Sequence, residues 1–252
     1  MRIGVVSDIH SNLPALQAVL EDMGAVDALW CLGDIVGYGP WPNEVIAILQ
    51  KRAAHCIAGN HDLGTLNLVS AEEFSPDAAV ATMWTSGQLS KESRSFLESL
   101  TPMTEVQGVT LAHGTPCDPV WEYLLGEDVA ESSFRCFSTQ LCLVGHSHIP
   151  SLFVQRSEDE IGIDYMAGGR TFECGQLRSI ANPGSVGQPR DRDPRAAYLL
   201  LDLPEASSQA EPDPSGPAIE WRRVHYDIAA IQDEMRQVGL PIFLSERLGL
   251  GV

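Results

Sequence analysis

The first hundred residues alternate short apolar runs with amphipathic stretches, and that alternation restricts the chain to an α/β architecture. Arg2 to Val6 reads as a buried strand ending at Ser7-Asp8. Leu13 to Met23 reads as a helix, with Asn12 to cap its free amides, Pro14 in its first turn and Gly24 to end it. Ala28 to Leu32 is the next predicted strand, Asn43 to Lys51 the next helix after Pro42, and Ala54 to Ala58 the third strand. Pro76 to Gln88 and Lys91 to Leu100 follow as helices, with Ser75 and Ser90 as N-caps.

The second half changes character. Val109 to Ala112, Leu141 to Val144, Ser151 to Gln155, Gly162 to Met166, Leu177 to Ala181, Ala197 to Leu203 and Ile219 to His225 are strand-like. Only Val129 to Phe137 is helical among them. These strands predict a second sheet, mainly antiparallel, facing the first. We expect a single domain over 1–252, with the Pro-, Ser- and acid-rich stretch 204–217 as a mobile hairpin loop. Residues 227–252 are expected to form a helical tail packed on the body, begun by a helix from Ile228 to Val238 and docked through Leu244, Leu248 and Leu250.

Charge then narrows the function classes. Sixteen Lys and Arg against thirty-four Asp and Glu give a formal net charge of −18, which excludes a long nucleic-acid partner held by basic surface. Any anionic ligand needs a local source of positive charge. Apolar runs such as Ala196 to Leu201 are strand-sized rather than membrane-sized, and Met1-Arg2 leads directly into the first strand without a signal-peptide pattern. No membrane association and a cytoplasmic location are expected. The six cysteines, at 31, 56, 117, 136, 142 and 174, show no close pairing, so free and mostly buried thiols are expected rather than disulfides or a thiolate metal site.

The chemistry lies in five polar clusters, each at the end of a predicted strand: Asp8-Ile9-His10, Gly33-Asp34, Gly59-Asn60-His61-Asp62, His113-Gly114 and Gly145-His146-Ser147-His148. In α/β folds the carboxyl ends of strands converge on one edge, where their loops share a crevice. Asp-x-His alone is common, but Gly-Asn-His-Asp arises by chance about once in a thousand chains of this length. Imidazole, carboxylate and amide donors without thiolate suit a borderline divalent ion: manganese, iron, zinc, cobalt or nickel. Asp8, His10, Asp34, Asn60, His113, His146 and His148 are too many donors for one tetrahedral ion and suit two.

These five blocks, in this order, resemble the calcineurin-like metallophosphoesterase superfamily. The resemblance extends from Arg2 to about Asp202 and implies a four-layer αββα sandwich with two facing mixed sheets. It assigns one ion to Asp8, His10 and His148, the other to Asn60, His113 and His146, and makes Asp34 their bridge. It thereby implies a metal-dependent phosphoric ester hydrolase in which a hydroxide bridging the ions attacks phosphorus, because paired divalent ions lower the pKa of a shared water and clamp phosphoryl oxygens. The ions would supply the positive charge that the composition lacks, so protein stripped of metal is expected to bind phosphate poorly. His61 is expected to protonate the leaving oxygen or stabilise the transition state, and Asp62 to orient its loop. His55 and His225 lie outside the blocks and are read as ordinary structural or surface residues.

One departure bears on substrate. Protein serine/threonine phosphatases and symmetrical dinucleoside tetraphosphatases carry Arg in a Gly-Asp-x-Val-x-Arg-Gly block. Here Gly33-Asp34-Ile35-Val36-Gly37-Tyr38-Gly39 has Tyr38 in that position, which cannot replace a bidentate cationic clamp. The chain is more similar to the compact bacterial and archaeal phosphodiesterase-like branch. Arg190 or Arg195, after the turn-rich stretch from Asn182, is expected to reach the non-scissile part of the substrate, although surface pairing with Asp191 and Asp193 competes with that role. Tyr38, Trp41 and Trp121 are either core or an aromatic wall for the ligand. The expected substrate is a phosphodiester or small phosphorylated metabolite. A nucleotide or dinucleoside polyphosphate hydrolase and a non-catalytic scaffold on the same fold are the alternatives, and a monomer and a homodimer fit equally.

Overall fold

The computed structural model describes residues 1–157, 160–204 and 216–252. In chain order the elements are β1 (Arg2–Val6), α1 (Leu13–Met23), β2 (Ala28–Cys31), α2 (Pro42–Lys51), β3 (His55–Cys56), α3 (Asn60–Thr65), α4 (Pro76–Gln88) and α5 (Lys91–Glu98). Then come β4 (Met103–Val106), β5 (Val109–Ala112), α6 (Glu127–Phe134), β6 (Leu141–Val144), β7 (Ser151–Ser157), β8 (Glu160–Tyr165), β9 (Thr171–Glu173) and β10 (Arg178–Asn182). The chain closes with β11 (Ala196–Asp202), β12 (Ala218–Val224), α7 (Ile228–Gln237) and α8 (Ile242–Glu246). Most of the stretch read as a hairpin loop, 205–215 within 204–217, lies outside the described residues.

Two six-stranded mixed sheets are ordered β3-β2-β1-β11-β12-β9 and β4-β5-β6-β10-β7-β8. The strand period of two dictates how they stack. Along β11, Leu199 and Leu201 turn inward against Leu111, Leu143 and Leu152 of the other sheet, while Tyr198 and Leu200 turn outward onto Leu16 and Val19 of α1. On the far side, Phe134 of α6 covers Cys142, Phe153 and Ile180. Helices, sheet, sheet and helix therefore form the four layers of the αββα sandwich. Each fully buried large side chain, such as Trp30, Phe153 or Trp221, contributes on the order of 1.5–3 kcal/mol.

Local signals match these elements closely where they are strong. Asn12 accepts from the Ala15 amide at 3.1 Å and Ser90 from the Ser93 amide at 3.1 Å, as caps should. Ser75 occupies its N-cap position without a side-chain bond. Allocation of strands to sheets differs from the sequence reading: β11, β12 and β9 join the first sheet, with β11 antiparallel to β1. The second sheet retains a parallel core of β5, β6 and β10. A period-two apolar run fits either sheet equally, so pairing had no local mark. The third strand shrinks to His55–Cys56, and the expectation of free thiols fails for one pair: Cys117 and Cys136 form a disulfide across 19 positions. Cys31, Cys142 and Cys174 are free and buried, and Cys56 is free and half-buried.

The topology positions the site. β1, β2 and β3 run parallel in one sheet, and β5, β6 and β10 run parallel in the other, so the carboxyl ends within each set share an edge. The tail contributes Ile231, Met235, Leu244 and Leu248 to a cluster with Tyr38 and Ala81, whereas Leu250 is exposed rather than docked. Among the described residues, no helix is long and apolar enough to cross a membrane.

Candidate metal centre

Each polar cluster leaves the end of one of these parallel strands. Asp8 and His10 follow β1, Asp34 follows β2, Asn60 and His61 open α3 after β3, His113 follows β5, and His146 and His148 follow β6. Main-chain bonds tie the loops together: the Asp8 amide donates to Gly33 O at 3.0 Å, His10 to Asp34 O at 3.0 Å, and Gly145 to His113 O at 2.8 Å. The turns are tight enough that Asp8, His10, Asp34, His146 and His148 all have positive φ, between 48° and 65°. Left-handed backbone at such residues costs about 1–3 kcal/mol each and persists only where the surroundings impose it. Glycine serves a second purpose here: a Cβ on Gly59 would overlap the Asp34 carboxylate, and one on Gly145 would overlap Ser7 Oγ.

The result is a buried cradle of two donor groups that share one residue. Asp8, His10, Asp34 and His148 form the first group and Asp34, His113 and His146 the second, with donor atoms in each group lying within 4.8 Å of one another. Asp34 Oδ2 stands 3.5 Å from His10 Nε2 on one side and 3.5 Å from His113 Nε2 on the other. Asn60 Oδ1 completes the second group, 3.2 Å from His113 Nε2. All seven predicted ligands therefore come together.

The donor set fits metal cations. In each of the four imidazoles the other ring nitrogen faces a main-chain carbonyl: His10 Nδ1 to Val36 O at 3.2 Å, His113 Nδ1 to Leu32 O at 2.8 Å, His148 Nδ1 to Gln188 O at 2.6 Å, and His146 Nε2 to Trp121 O at 3.2 Å. Donation to those carbonyls fixes the ring orientation and turns the other nitrogen of each inward, where the neutral ring presents a lone pair. His10 Nε2 and His148 Nε2 then face each other at 3.2 Å, an arrangement that calls for a cation between two lone pairs. Asp8 Oδ1 is buried without a hydrogen-bond partner, while its Oδ2 accepts from the His146 amide at 3.2 Å.

Electrostatics agree. Burial pushes His10 and His148 down, His61 to about 4 and His146 to about 3, which keeps these rings neutral, the form that binds metal. Burial works against the charge on Asp8 and Asp34 as well, but the neighbouring histidines outweigh it and hold both carboxyls below the usual range. His113 runs the other way: burial disfavours its cation, yet Asp34 and Asp8 raise it to about 9, so it carries a proton that a metal would displace.

The surroundings hold residues that the sequence did and did not single out. Asp62 takes the orienting role expected of it, accepting from the amides of Gly59, Ile35 and Val36 at 2.9, 3.2 and 3.0 Å. Burial and the Asp34 charge push its carboxyl up to about 7. His61 is buried with its Nδ1 3.3 Å from Thr82 Oγ1, and its amide donates to Asp34 Oδ1 at 2.8 Å. Thr82 lies within α4, and no local pattern marks its place beside His61. Asn182 braces the last motif, donating to Gly145 O at 2.7 Å and Ser147 Oγ at 3.1 Å.

A cleft of about 350 Å3 opens over His61 and Asn60, lined also by Tyr38, Trp121, Arg190 and Arg247. Arg190 is one of its lining residues. Arg195 does not line it, because Asp193 holds its guanidinium at 2.6 Å. Trp41 packs instead in the cluster beneath the tail. His55 and His225 are exposed and outside both donor groups.

The model of the calcineurin-like phosphoesterase superfamily domain matches residues 1–206. A metallophosphoesterase from Sphaerobacter thermophilus superposes with a TM-score of 0.86 at 40% identity, covering all of both chains. A protein of Pyrococcus horikoshii shares the fold at 21% identity and a TM-score of 0.76, over 100% of this chain and 98% of that one. An uncharacterized protein of Methanocaldococcus jannaschii is 38% identical over 99% of this chain and 98% of its own. A shorter stretch of 71 residues, 26% of either chain, is 37% identical to the symmetrical bis(5′-nucleosyl)-tetraphosphatase of Ectopseudomonas mendocina. The strand-end donors, the two facing sheets and these likenesses agree: the chain belongs to the calcineurin-like phosphoesterase superfamily and is a phosphoric ester hydrolase.

Proposed function

We propose that the chain hydrolyses a phosphodiester or a small phosphorylated metabolite at a centre of two divalent ions. The observation that carries this reading is the shared position of Asp34 between two buried donor groups. In this reading Asp8, His10 and His148 hold one ion, Asn60, His113 and His146 hold the other, and Asp34 belongs to both. Borderline ions suit the donors, manganese, iron, zinc, cobalt and nickel among them. When bound, such a pair supplies Lewis-acid charge for phosphoryl oxygens and a water of lowered pKa.

The chain's own residues do the rest. Asp34 is oriented through Oδ1 by the His61 amide, which leaves Oδ2 for the shared position. The carbonyls behind the imidazoles prevent ring rotation and keep the inward nitrogens aimed. With Nδ1 against Thr82, the neutral His61 ring has Nε2 left to give a hydrogen bond that stabilises the leaving oxygen at the floor of the cleft. Burial of the whole cradle excludes bulk water and strengthens each of these interactions.

A nucleoside polyphosphate hydrolase is the second reading, favoured by the local likeness to tetraphosphatases. The test is a hydrolysis panel under manganese comparing aryl diesters, aryl monoesters, cyclic nucleotides and dinucleoside tetraphosphates, with Asp34→Asn as the blank. Wild-type turnover of at least one class, lost in Asp34→Asn, is the expected result. A protein that holds two ions per chain and hydrolyses none of them is a scaffold, and the proposal fails.

A further inference from the structure

Beside the metal cradle, two guanidinium groups converge without a counter-charge. Arg190 and Arg247 both line the cleft above His61, both are half-buried, and among the described residues neither has a carboxylate within ion-pairing distance. The Nε atoms of both are buried and lack any hydrogen-bond partner. Arg190 reaches the Tyr38 hydroxyl at a long 3.5 Å and also lies beside the Tyr123 hydroxyl, both neutral partners, and Arg247 lies over the Tyr38 ring at 4.9 Å and donates to Gln188 Oε1. Burial, and then Arg190 itself, lower the Arg247 pKa, the mark of two cations held together. In a chain of net charge −18, arginines left unpaired beside one another are unusual.

Their meeting is built, not incidental. Arg190 comes from the loop after β10, whereas Arg247 comes from the turn after α8, beyond residue 206 where the family match ends. The Arg192 amide donates to Gly251 O at 2.8 Å, and Arg247 bonds Gln188, so loop and tail are clasped on both sides of the pair. Tyr38 stands between the pair and the cradle, its ring 4.5 Å from that of His10 and 4.3 Å from that of His61. Anything bound to the guanidiniums is thus one aromatic ring away from the proposed reaction centre.

We propose that Arg190 and Arg247, supported by Tyr38, form a subsite for a second, non-scissile phosphate, so that the preferred substrate is a small molecule carrying linked phosphoryl groups, such as a nucleoside polyphosphate. The inference rests on the phosphoesterase reading for the first phosphate and adds the requirement for a second. Guanidinium forks match phosphate oxygens bidentately, and the orphaned Nε donors are the atoms such a ligand would satisfy. The cleft's volume of about 350 Å3 lies in the range of small-molecule sites. Phe74 and Trp121, in edge contact at 5.2 Å, line the same cleft and offer an apolar wall to the remainder of such a molecule. Glu73 also lines it, exposed at the rim, and sets a limit on how much anionic charge the mouth tolerates. The proposal departs from the expectation that protein stripped of metal binds phosphate poorly, and makes linked phosphates the exception to it.

The test has two arms. In the first, pyrophosphate and orthophosphate are titrated calorimetrically into chelator-treated protein. Pyrophosphate is expected to bind wild type, and to bind Arg247→Met and Arg190→Met about 10–100-fold more weakly, the worth of one charged hydrogen-bonding group. In the second, KM is compared between ATP and bis(p-nitrophenyl) phosphate for the manganese-loaded enzyme. Arg247→Met is expected to raise KM for ATP at least tenfold more than for the aryl diester, Arg247→Lys to fall between, and Arg236→Met, exposed on α7, to change neither. Equal effects on both substrates, or unchanged pyrophosphate binding in both single variants, overturn the subsite. Should the tail of Arg247→Met come loose, seen as a lowered Tm, Arg190→Met decides. If the manganese enzyme hydrolyses no ester, the phosphoesterase reading falls while the pyrophosphate titration still reports on the arginines.

Discussion

The cradle and the cleft above it are neighbours built on opposite plans. In the cradle, short motifs fix both the donors and the backbone that carries them: five of the seven candidate ligands sit at positive φ, and every histidine among them has its outer nitrogen against a carbonyl. In the cleft, Tyr38, Trp121, Arg190 and Arg247 come from four separate stretches, and two of them retain unsatisfied donors. The contrast teaches that reaction chemistry here is stored in local turns, whereas ligand choice is stored in how distant segments pack.

Perturbing the two regions should therefore give effects of different kind and size. The largest is Asp34→Asn, which removes the carboxylate common to both donor groups. It is expected to abolish hydrolysis and to lower the metal content per chain measured by elemental analysis. Next comes His61→Ala, for which kcat should fall about 10²–10⁴-fold with metal content unchanged, since no donor group includes it. Equal loss of metal in that variant would place His61 among the ligands instead.

Asn182→Ala probes how far the cradle depends on its braces. Loss of the bonds to Gly145 O and Ser147 Oγ should cost about 1–3 kcal/mol in chemical denaturation and weaken metal binding about 10–100-fold. The smallest effect is expected at Arg195. Because that side chain is occupied by Asp193 at a partly exposed position, Arg195→Ala should change stability by no more than about 0.5 kcal/mol and leave KM alone. A rise in KM comparable to that of Arg190→Met would return Arg195 to the cleft.

Legibility in the sequence follows the same division. Asp8, His10, Asp34, Asn60, His113, His146 and His148 were readable as candidate ligands because each stands in a short block at a strand end, where residue type and spacing are fixed together. The two sheets followed from the apolar periodicity, and the four layers from the family resemblance. The sheet to which β11 belongs was not readable, since Leu199 and Leu201 alternate with Tyr198 and Leu200 in the same way whichever strand they pair with. Thr82, Gln188 and Arg247 lay beyond local reading for a related reason. Nothing near them in the chain marks a site, and only tertiary packing brings Arg247 to Tyr38 and Thr82 to His61. Cys117 and Cys136 are a further case, joined across a separation too long to read as a motif.

The central claim is that one carboxylate serves two ions. Anomalous diffraction from crystals soaked in manganese tests it directly. Two peaks are expected, one among Asp8, His10, Asp34 and His148 and one among Asp34, Asn60, His113 and His146, both in contact with Asp34. A single peak, or two peaks of which only one touches Asp34, would contradict the account.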